Sequence, residues 1–271
     1  MGFVGLPVSI FLYWLMLHHK KNEPFPKHGI LRLLIAGAVS VVLSVILAIP
    51  IDGAMSFLHL GILSDLSGWT HAVGEGAEAT AAFLQNANSN VRPTFLWTLI
   101  SMFFSAGLLE EGLKFLTCRI AVRKEGMIRT WMDSVIAFAV VGITFELIEN
   151  IAFGMDSELI AALARALAPA HFVFGVIMGY FFGKYRVTGR KKYCWLSFLV
   201  PFLYHTVTNA FIGSMSLNHV FRVVGMTVAI SHIAVSVVTV IVIFYWQKNR
   251  TLDVPVQQRQ EALREQAVAK E

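Results

Sequence analysis

The segment MDSVIAFAVVGITFELIENIAFGM, residues 132–155, is an apolar run that also carries ionisable residues in its second half. It has the length that an α-helix needs to cross the hydrocarbon core of a bilayer, about 20 residues. Glu146, Glu149 and Asn150 nevertheless lie within it. Each charged group costs roughly 2.5–3.5 kcal/mol to place at the centre of a transmembrane helix. We therefore interpret this segment as a membrane span whose polar residues serve a site inside the protein.

The rest of the chain has the same membrane character. Of its 271 residues, 56% are hydrophobic and 14% are charged, whereas soluble domains contain about 25% charged residues. The apolar runs lie at 3–17, 30–51, 94–118, 132–155, 159–183, 193–213 and 222–246. These runs lack the period-2 alternation of a transmembrane barrel. We predict an all-α, multi-pass transmembrane bundle of about seven helices.

The loops between these runs alternate between basic and acidic. Residues 18–32, 119–129 and 184–192 are rich in lysine and arginine, whereas residues 52–92 and 156–158 carry mainly acidic groups. Because basic loops remain in the cytoplasm, the pattern predicts an outer N-terminus and an inner C-terminus in the cell membrane. The net charge of +5 then reflects topology, so we expect the lipid bilayer and no nucleic acid as a partner.

Ionisable residues occur within four consecutive spans. Their motifs are EEGLK at 110–114, FELIEN at 145–150, HFVFG at 171–175 and HTVTN at 205–209. At 1.5 Å per residue, Glu146, His171 and His205 each lie about 20 Å from one end of their span. The helices can thus bring these groups to a similar level. We expect them to face one another, a metal or an internal aqueous cavity instead of lipid.

Glutamates and histidines in such a group can activate a water molecule in two ways. They can hold a divalent metal that binds the water, or a glutamate can act as general base beside a histidine. Asn209 and a histidine can donate hydrogen bonds to a developing oxyanion. The chain has no GxSxG serine motif and no pair of intramembrane aspartates, which disfavours serine and aspartyl hydrolysis.

Taken together, EExxK at 110–114, FExxE followed by asparagine at 145–150, His171 and HxxxN at 205–209 resemble the PrsW intramembrane proteases. That family is related to the CAAX-processing (Abi-type) endopeptidases. The resemblance covers residues 93–213 and implies cleavage of a membrane-embedded protein or peptide. Lys114 and Glu149 depart from the CAAX-type pattern and favour the PrsW branch.

The resemblance also implies roles for individual residues. Glu110 and Glu111 would activate the hydrolytic water, Glu149 would occupy the place of a histidine in CAAX-type members, and His205 with Asn209 would match the fourth motif. Our hypothesis for catalysis comprises Glu110, Glu111, Glu146, Glu149, His205 and Asn209. A divalent metal, with zinc as the first candidate, would be held by Glu149, His171 and His205.

We accordingly divide the chain into a transmembrane protease domain at 1–250, with its motif-bearing core at 93–213, and a polar cytoplasmic tail at 251–271. Two alternatives stay open at this point. The buried carboxylates could serve as the relay of a proton- or cation-coupled transporter, or the chain could be a non-proteolytic membrane scaffold. Whether catalysis needs the metal is likewise open.

Overall fold

Regular secondary structure in the described part of the chain is helical. The computed structural model describes residues 3–18, 24–59, 65–90, 94–154, 163 and 165–256. Its helices are α1 (Leu6–His18), α2 (Gly29–His59), α3 (Leu66–Glu75), α4 (Ala77–Asn90), α5 (Phe95–Met102), a π-helical segment (Phe103–Glu111), α6 (Gly112–Ala121), α7 (Trp131–Gly154), α8 (Ala170–Thr188), α9 (Lys191–Gly213) and α10 (His219–Asn249).

The helices occur where the apolar runs predict membrane spans. Five of them, α2, α7, α8, α9 and α10, are long and apolar enough to cross a membrane. The shorter helix α1 and the continuous run from α5 to α6 occupy the other two positions. The prediction of an all-α membrane bundle is therefore confirmed. The orientation and the domain division stay predictions, and residues 159–162 at the start of the fifth predicted span lie outside the described residues.

The third span changes its helical pitch in the middle. It is α-helical to Met102, π-helical from Phe103 to Glu111, and α-helical again from Gly112. A π-helix closes its hydrogen bonds over five residues instead of four, and such turns are frequent at functional sites. Glu110 and Glu111 are the last two residues of this segment.

The predicted extracytoplasmic segment at 52–92 is largely helical in its described residues. Helix α2 continues through Pro50 to His59, and α3 and α4 follow. The Asp65 carboxylate caps α3 by accepting a hydrogen bond from the backbone N–H of Gly68 at 3.1 Å. Such caps stabilise the first turn of a helix, and the alanine-rich sequence of α4 has high helix propensity.

Helices α7 and α8 form the centre of the bundle, whereas α2 and α10 lie at its periphery. In their apolar windows, 72% of α7 is buried but only 17% of α10. A helix that is apolar on all sides requires either a protein core or lipid around it. The exposed side chains of α2 and α10, such as Ile49 and Val238, are those expected to face lipid.

Close contact between α7 and α8 depends on glycines. A methyl group added at Gly142 would overlap the carbonyl oxygen of His171, and one at Gly175 would overlap the carbonyl oxygen of Phe138. Small residues allow two helix backbones to approach each other in this way. The contact places the first turn of α8, and with it His171, against the polar half of α7.

We expect Gly142→Ala to reduce the free energy of unfolding by about 1–3 kcal/mol, since the added methyl group overpacks a backbone contact. Gly53→Ala is the matched control, because Gly53 is also helical but has open space around it. It should leave stability unchanged or raise it by up to about 1 kcal/mol. Unfolding of both variants in detergent micelles measures the difference, and equal effects would contradict this account of the contact.

The start of the predicted tail is attached to the bundle. The backbone N–H of Met132 donates to the carbonyl oxygen of Leu252 at 2.9 Å, and the N–H of Val256 donates to that of Arg129 at 2.8 Å. Leu252 and Val256 are buried. Residues 252–256 therefore join the end of α10 to the start of α7, while 257–271 lie outside the described residues.

Candidate active site

Four spans contribute polar side chains to one buried group. Its members are Glu110 and Glu111 at the end of the π-helical segment, Lys114 in α6, Glu146, Glu149 and Asn150 in α7, His171 in α8, and His205 and Asn209 in α9. The sequence predicted that these groups would face one another, a metal or an internal aqueous cavity instead of lipid. Their side chains contact one another.

Glu111 occupies the centre of this group and has no solvent exposure. Its Oε1 lies 2.6 Å from Nζ of Lys114 and 2.7 Å from Nδ1 of His205. Its Oε2 is buried and has no hydrogen-bond partner. Glu111 therefore links two spans through one oxygen and retains a second oxygen for another ligand.

Lys114 places a positive charge among the carboxylates. Its Nζ lies 2.5 Å from Nδ1 of His171 and 4.0 Å from Oε2 of Glu110, in addition to its contact with Glu111. The same nitrogen lies 4.2 Å from the centre of the Phe145 ring. A lysine with these contacts neutralises Glu111 and orients the imidazole of His171.

Both ring nitrogens of His171 have partners. Nδ1 faces the Lys114 ammonium, which is only a donor, so Nδ1 accepts. Nε2 then carries the ring proton and donates to Oε2 of Glu149 at 2.7 Å. The same Glu149 oxygen lies 3.0 Å from Nη2 of Arg165. Glu149 is thus held between His171 in the first turn of α8 and Arg165, which precedes α8.

Glu146 makes the contacts of a residue that positions His171. Its Oε2 accepts the backbone N–H of His171 at 2.8 Å, and its Oε1 accepts the side-chain amide of Asn150 at 3.2 Å. The carboxylate therefore satisfies a backbone donor in the first turn of α8. Both of its oxygens are occupied in this arrangement. Its proposed participation in catalysis stays a prediction.

His205 and Asn209 lie one turn apart on α9 and contact each other. Because Nδ1 of His205 faces the carboxylate of Glu111, we assign the ring proton to Nδ1. Nε2 then accepts a hydrogen bond from the side-chain amide of Asn209 at 3.0 Å. One N–H of that amide is used, which leaves the second one available for a ligand.

The residues present fit a divalent metal. One ligand atom each from Glu110, Glu111, His171 and His205 can be chosen so that all four lie within 4.8 Å of one another. Two buried carboxylate oxygens, Oε2 of Glu110 and Oε2 of Glu111, lack a hydrogen-bond partner, and carboxylate with imidazole is a typical donor set for zinc. Lys114 contacts the same group and would have to move aside for an ion.

This group differs in part from the ligands proposed above. It shares His171 and His205 with the proposed set, but it contains Glu110 and Glu111, whereas Glu149 lies outside it. Glu149 instead contacts the outer nitrogen of His171. Which of the two sets holds a metal stays a prediction.

A cavity of about 390 Å³ adjoins the polar group at the end of the bundle where α8 begins and α9 ends. Glu149, His171, His205 and Asn209 reach this cavity. Glu146 of α7 and Arg165, which precedes α8, also line the cavity. The rest of its wall is largely apolar and comes from residues around the start of α8, the end of α9 and the middle of α10. By the predicted orientation, this end of the bundle is the extracytoplasmic one.

Three residues that contribute to this site, Arg165, Tyr204 and His232, were not among the predicted site residues. Arg165 binds both Glu149 and Asn150 from outside the predicted motifs. His232 lies in the last apolar run with only serines as polar neighbours on its own helix, so its sequence context did not indicate a role, yet its side-chain partner is Tyr204 on α9. Helical spacing identifies neighbours on the same helix and does not indicate a partner on another one. Only a search for every histidine within a span would therefore have retained His232.

Comparisons with known proteins identify a family and several relatives. A family model described as PrsW family intramembrane metalloprotease matches residues 25–247. A protein named Protease PrsW from Geobacillus kaustophilus is 38% identical over 109 residues, which are 39% of this chain and 48% of the relative. A protein of the same name from Bacillus subtilis is 36% identical over 108 residues, which are 38% of this chain and 50% of the relative.

A third similar protein, also named Protease PrsW, comes from Oceanobacillus iheyensis. It is 31% identical over 121 residues, which are 43% of this chain and 56% of the relative. The chain thus spans about half the length of the curated relatives it matches. No solved structure matches it significantly.

Proposed function

Because the chain belongs to the PrsW family of intramembrane metalloproteases, we propose that it hydrolyses a peptide bond of a membrane-associated protein. The observation that carries this proposal is the buried group of Glu110, Glu111, His171 and His205 beside a cavity. Unpartnered buried carboxylate oxygens are costly. They are expected at a site that binds water or a metal, and a site of this kind beside a cavity can catalyse hydrolysis.

The chain's own residues can carry the hydrolytic steps. Glu110, whose buried Oε2 has no partner, removes a proton from water as the water oxygen bonds to the peptide carbonyl carbon. The free amide N–H of Asn209 donates to the resulting oxyanion. Glu110 then returns the proton to the peptide nitrogen, the C–N bond breaks, and an acid and an amine leave.

The remaining residues hold this arrangement in place. Glu111 and Lys114 neutralise each other and fix His205 and His171. Glu146 anchors the backbone of His171. A divalent metal, proposed as zinc, would be held by one atom each of Glu110, Glu111, His171 and His205, and when bound it would polarise the water and the carbonyl oxygen. One oxygen of Glu110 would then be a ligand, and its other oxygen would accept the proton from water.

The position of the cavity supports a substrate class. Since it adjoins the end of the bundle predicted to be extracytoplasmic, we infer that the substrate is a membrane-embedded protein cut in its extracytoplasmic half. The protein would act as a multi-pass enzyme of the cell membrane. A transport pathway would also require polar groups between the site and the opposite membrane face. Residues 135–141 of α7, which lie between Glu146 and that face, are apolar and buried.

Metal analysis tests the ligand set. We expect the purified protein to contain about one zinc ion per chain and His205→Ala to lose most of it. Glu110→Gln should also lose the metal, whereas Glu149→Gln should retain it, since only Glu110 belongs to the four-residue group. Elemental mass spectrometry of the variants measures this. Loss in Glu149→Gln with retention in Glu110→Gln would instead support Glu149, His171 and His205 as ligands.

A further inference from the structure

His232 lies in the wall of the cavity, on a helix that carries none of the proposed catalytic residues. Its side chain is buried, with 7% exposure. Nδ1 lies 2.8 Å from the hydroxyl oxygen of Tyr204. Nε2 is buried and has no hydrogen-bond partner. A buried polar atom of this kind in a cavity wall calls for a partner that enters the cavity.

The contact with Tyr204 determines which nitrogen of His232 carries the proton. Within the described residues, the phenolic hydrogen of Tyr204 has no acceptor other than Nδ1. We therefore assign Tyr204 as the donor and Nδ1 as the acceptor. A neutral imidazole then has its proton on Nε2. The group that His232 can offer to the cavity is consequently an N–H donor.

We propose that His232 is a positioning residue whose Nε2–H donates a hydrogen bond to a backbone carbonyl oxygen of the peptide bound in the cavity. This inference rests on the proposed protease function. A membrane segment must give up helical hydrogen bonds near the bond to be cut, and lipid cannot replace them. The wall around His232 includes Ile212, Ala229 and Ile233, which offer no side-chain donor. A carbonyl oxygen placed there would pair with Nε2–H.

The alternative is that His232 and Tyr204 only join α9 to α10. Interhelical hydrogen bonds of this type are common in membrane proteins. A joining role predicts loss of stability without a change in affinity for peptide. A positioning role predicts that removing the N–H weakens peptide binding. It also predicts that a side chain with an N–H at a similar distance restores the affinity.

Peptide binding by the full-length protein in detergent micelles separates these roles. The probe is a fluorescently labelled single-pass peptide with about 20 apolar residues followed by an extended glycine- and serine-rich segment. We expect His232→Leu to weaken binding about tenfold and His232→Gln, which retains an N–H donor, to remain within about threefold of wild type. His219→Gln, an exposed histidine on the same helix, is the control and should bind like wild type.

Tyr204→Phe provides a second, independent measurement if His232→Leu does not fold. We expect it to weaken binding severalfold in the wild-type chain but not in the His232→Gln background, because glutamine donates without the help of Tyr204. Wild-type affinity in His232→Leu, equal effects of Tyr204→Phe in both backgrounds, or no saturable binding by the wild type would overturn the inference.

The two proposals can fail separately. Peptide binding that depends on His232, without any cleavage that depends on Glu111, would remove the proposed function and leave the binding role of His232. Cleavage that depends on Glu111, with unchanged binding and Michaelis constant in His232→Leu, would remove only the role of His232.

Discussion

Replacing Glu111 with glutamine is expected to lower the rate of peptide cleavage by on the order of a thousandfold. Glu111 contacts Lys114 and His205 through one oxygen and presents a second, unpartnered oxygen inside the site. Glutamine is nearly isosteric but carries no charge, so it neither neutralises Lys114 nor acts as an anionic ligand. Cleavage of a single-pass membrane protein in proteoliposomes measures the loss.

Two further variants separate chemistry from folding. Glu125→Gln, at an exposed glutamate in the loop after α6, should retain full activity. Glu111→Gln combined with Lys114→Gln removes the unpaired charge and should recover stability while cleavage remains absent. Full activity in Glu111→Gln would reject Glu111 as a member of the catalytic machinery.

Lys114→Met is expected to reduce the free energy of unfolding by about 3–5 kcal/mol. The substitution leaves the Glu111 carboxylate buried without its cation, and breaking one side of a buried ion pair has a cost of this size. Methionine preserves most of the apolar volume, so little of the loss would come from packing. Unfolding of the variant in mixed detergent micelles measures the effect.

Lys191→Met is the matched control, since Lys191 is exposed in the first turn of α9. It should change stability by less than about 0.5 kcal/mol. In a variant that already contains Glu111→Gln, Lys114→Met should have a much smaller effect because the charge it compensated is gone. The prediction is rejected if Lys114→Met is as stable as Lys191→Met.

The bilayer explains why much of the fold was predictable. A membrane span needs a long apolar run, and the runs around Glu146 and His205 mark helices α7 and α9 within a few residues. Irregular features depend on contacts that such runs do not encode. The π-helical turn before Glu111 packs against α9, where Gly107 lies against Phe202. The helices within 52–92 do not stand out in the same way, because their residues are not apolar enough to indicate a span.

The convergence of the polar groups could be predicted for a similar reason, whereas their roles stay predictions. Ionisable residues cannot face lipid, so their convergence followed from their positions in four spans. Their individual contacts did not follow, because helical spacing describes neighbours on one helix only. The pairing of Glu146 with the backbone of His171, and of His232 with Tyr204, joins different helices. Such pairs are decided by how helices pack against each other.

The π-helical segment puts the two α-helical halves of the third span out of phase. A helical wheel drawn through residues 95–121 at a constant 100° per residue accumulates an angular error across the nine residues of Phe103–Glu111. It therefore assigns the wrong face to one half of the span. Deleting one residue within the segment would rotate one half relative to the other by about 100°. The carboxylates of Glu110 and Glu111 would then turn away from His205. The length of the π-helical segment therefore sets the direction in which both carboxylates point.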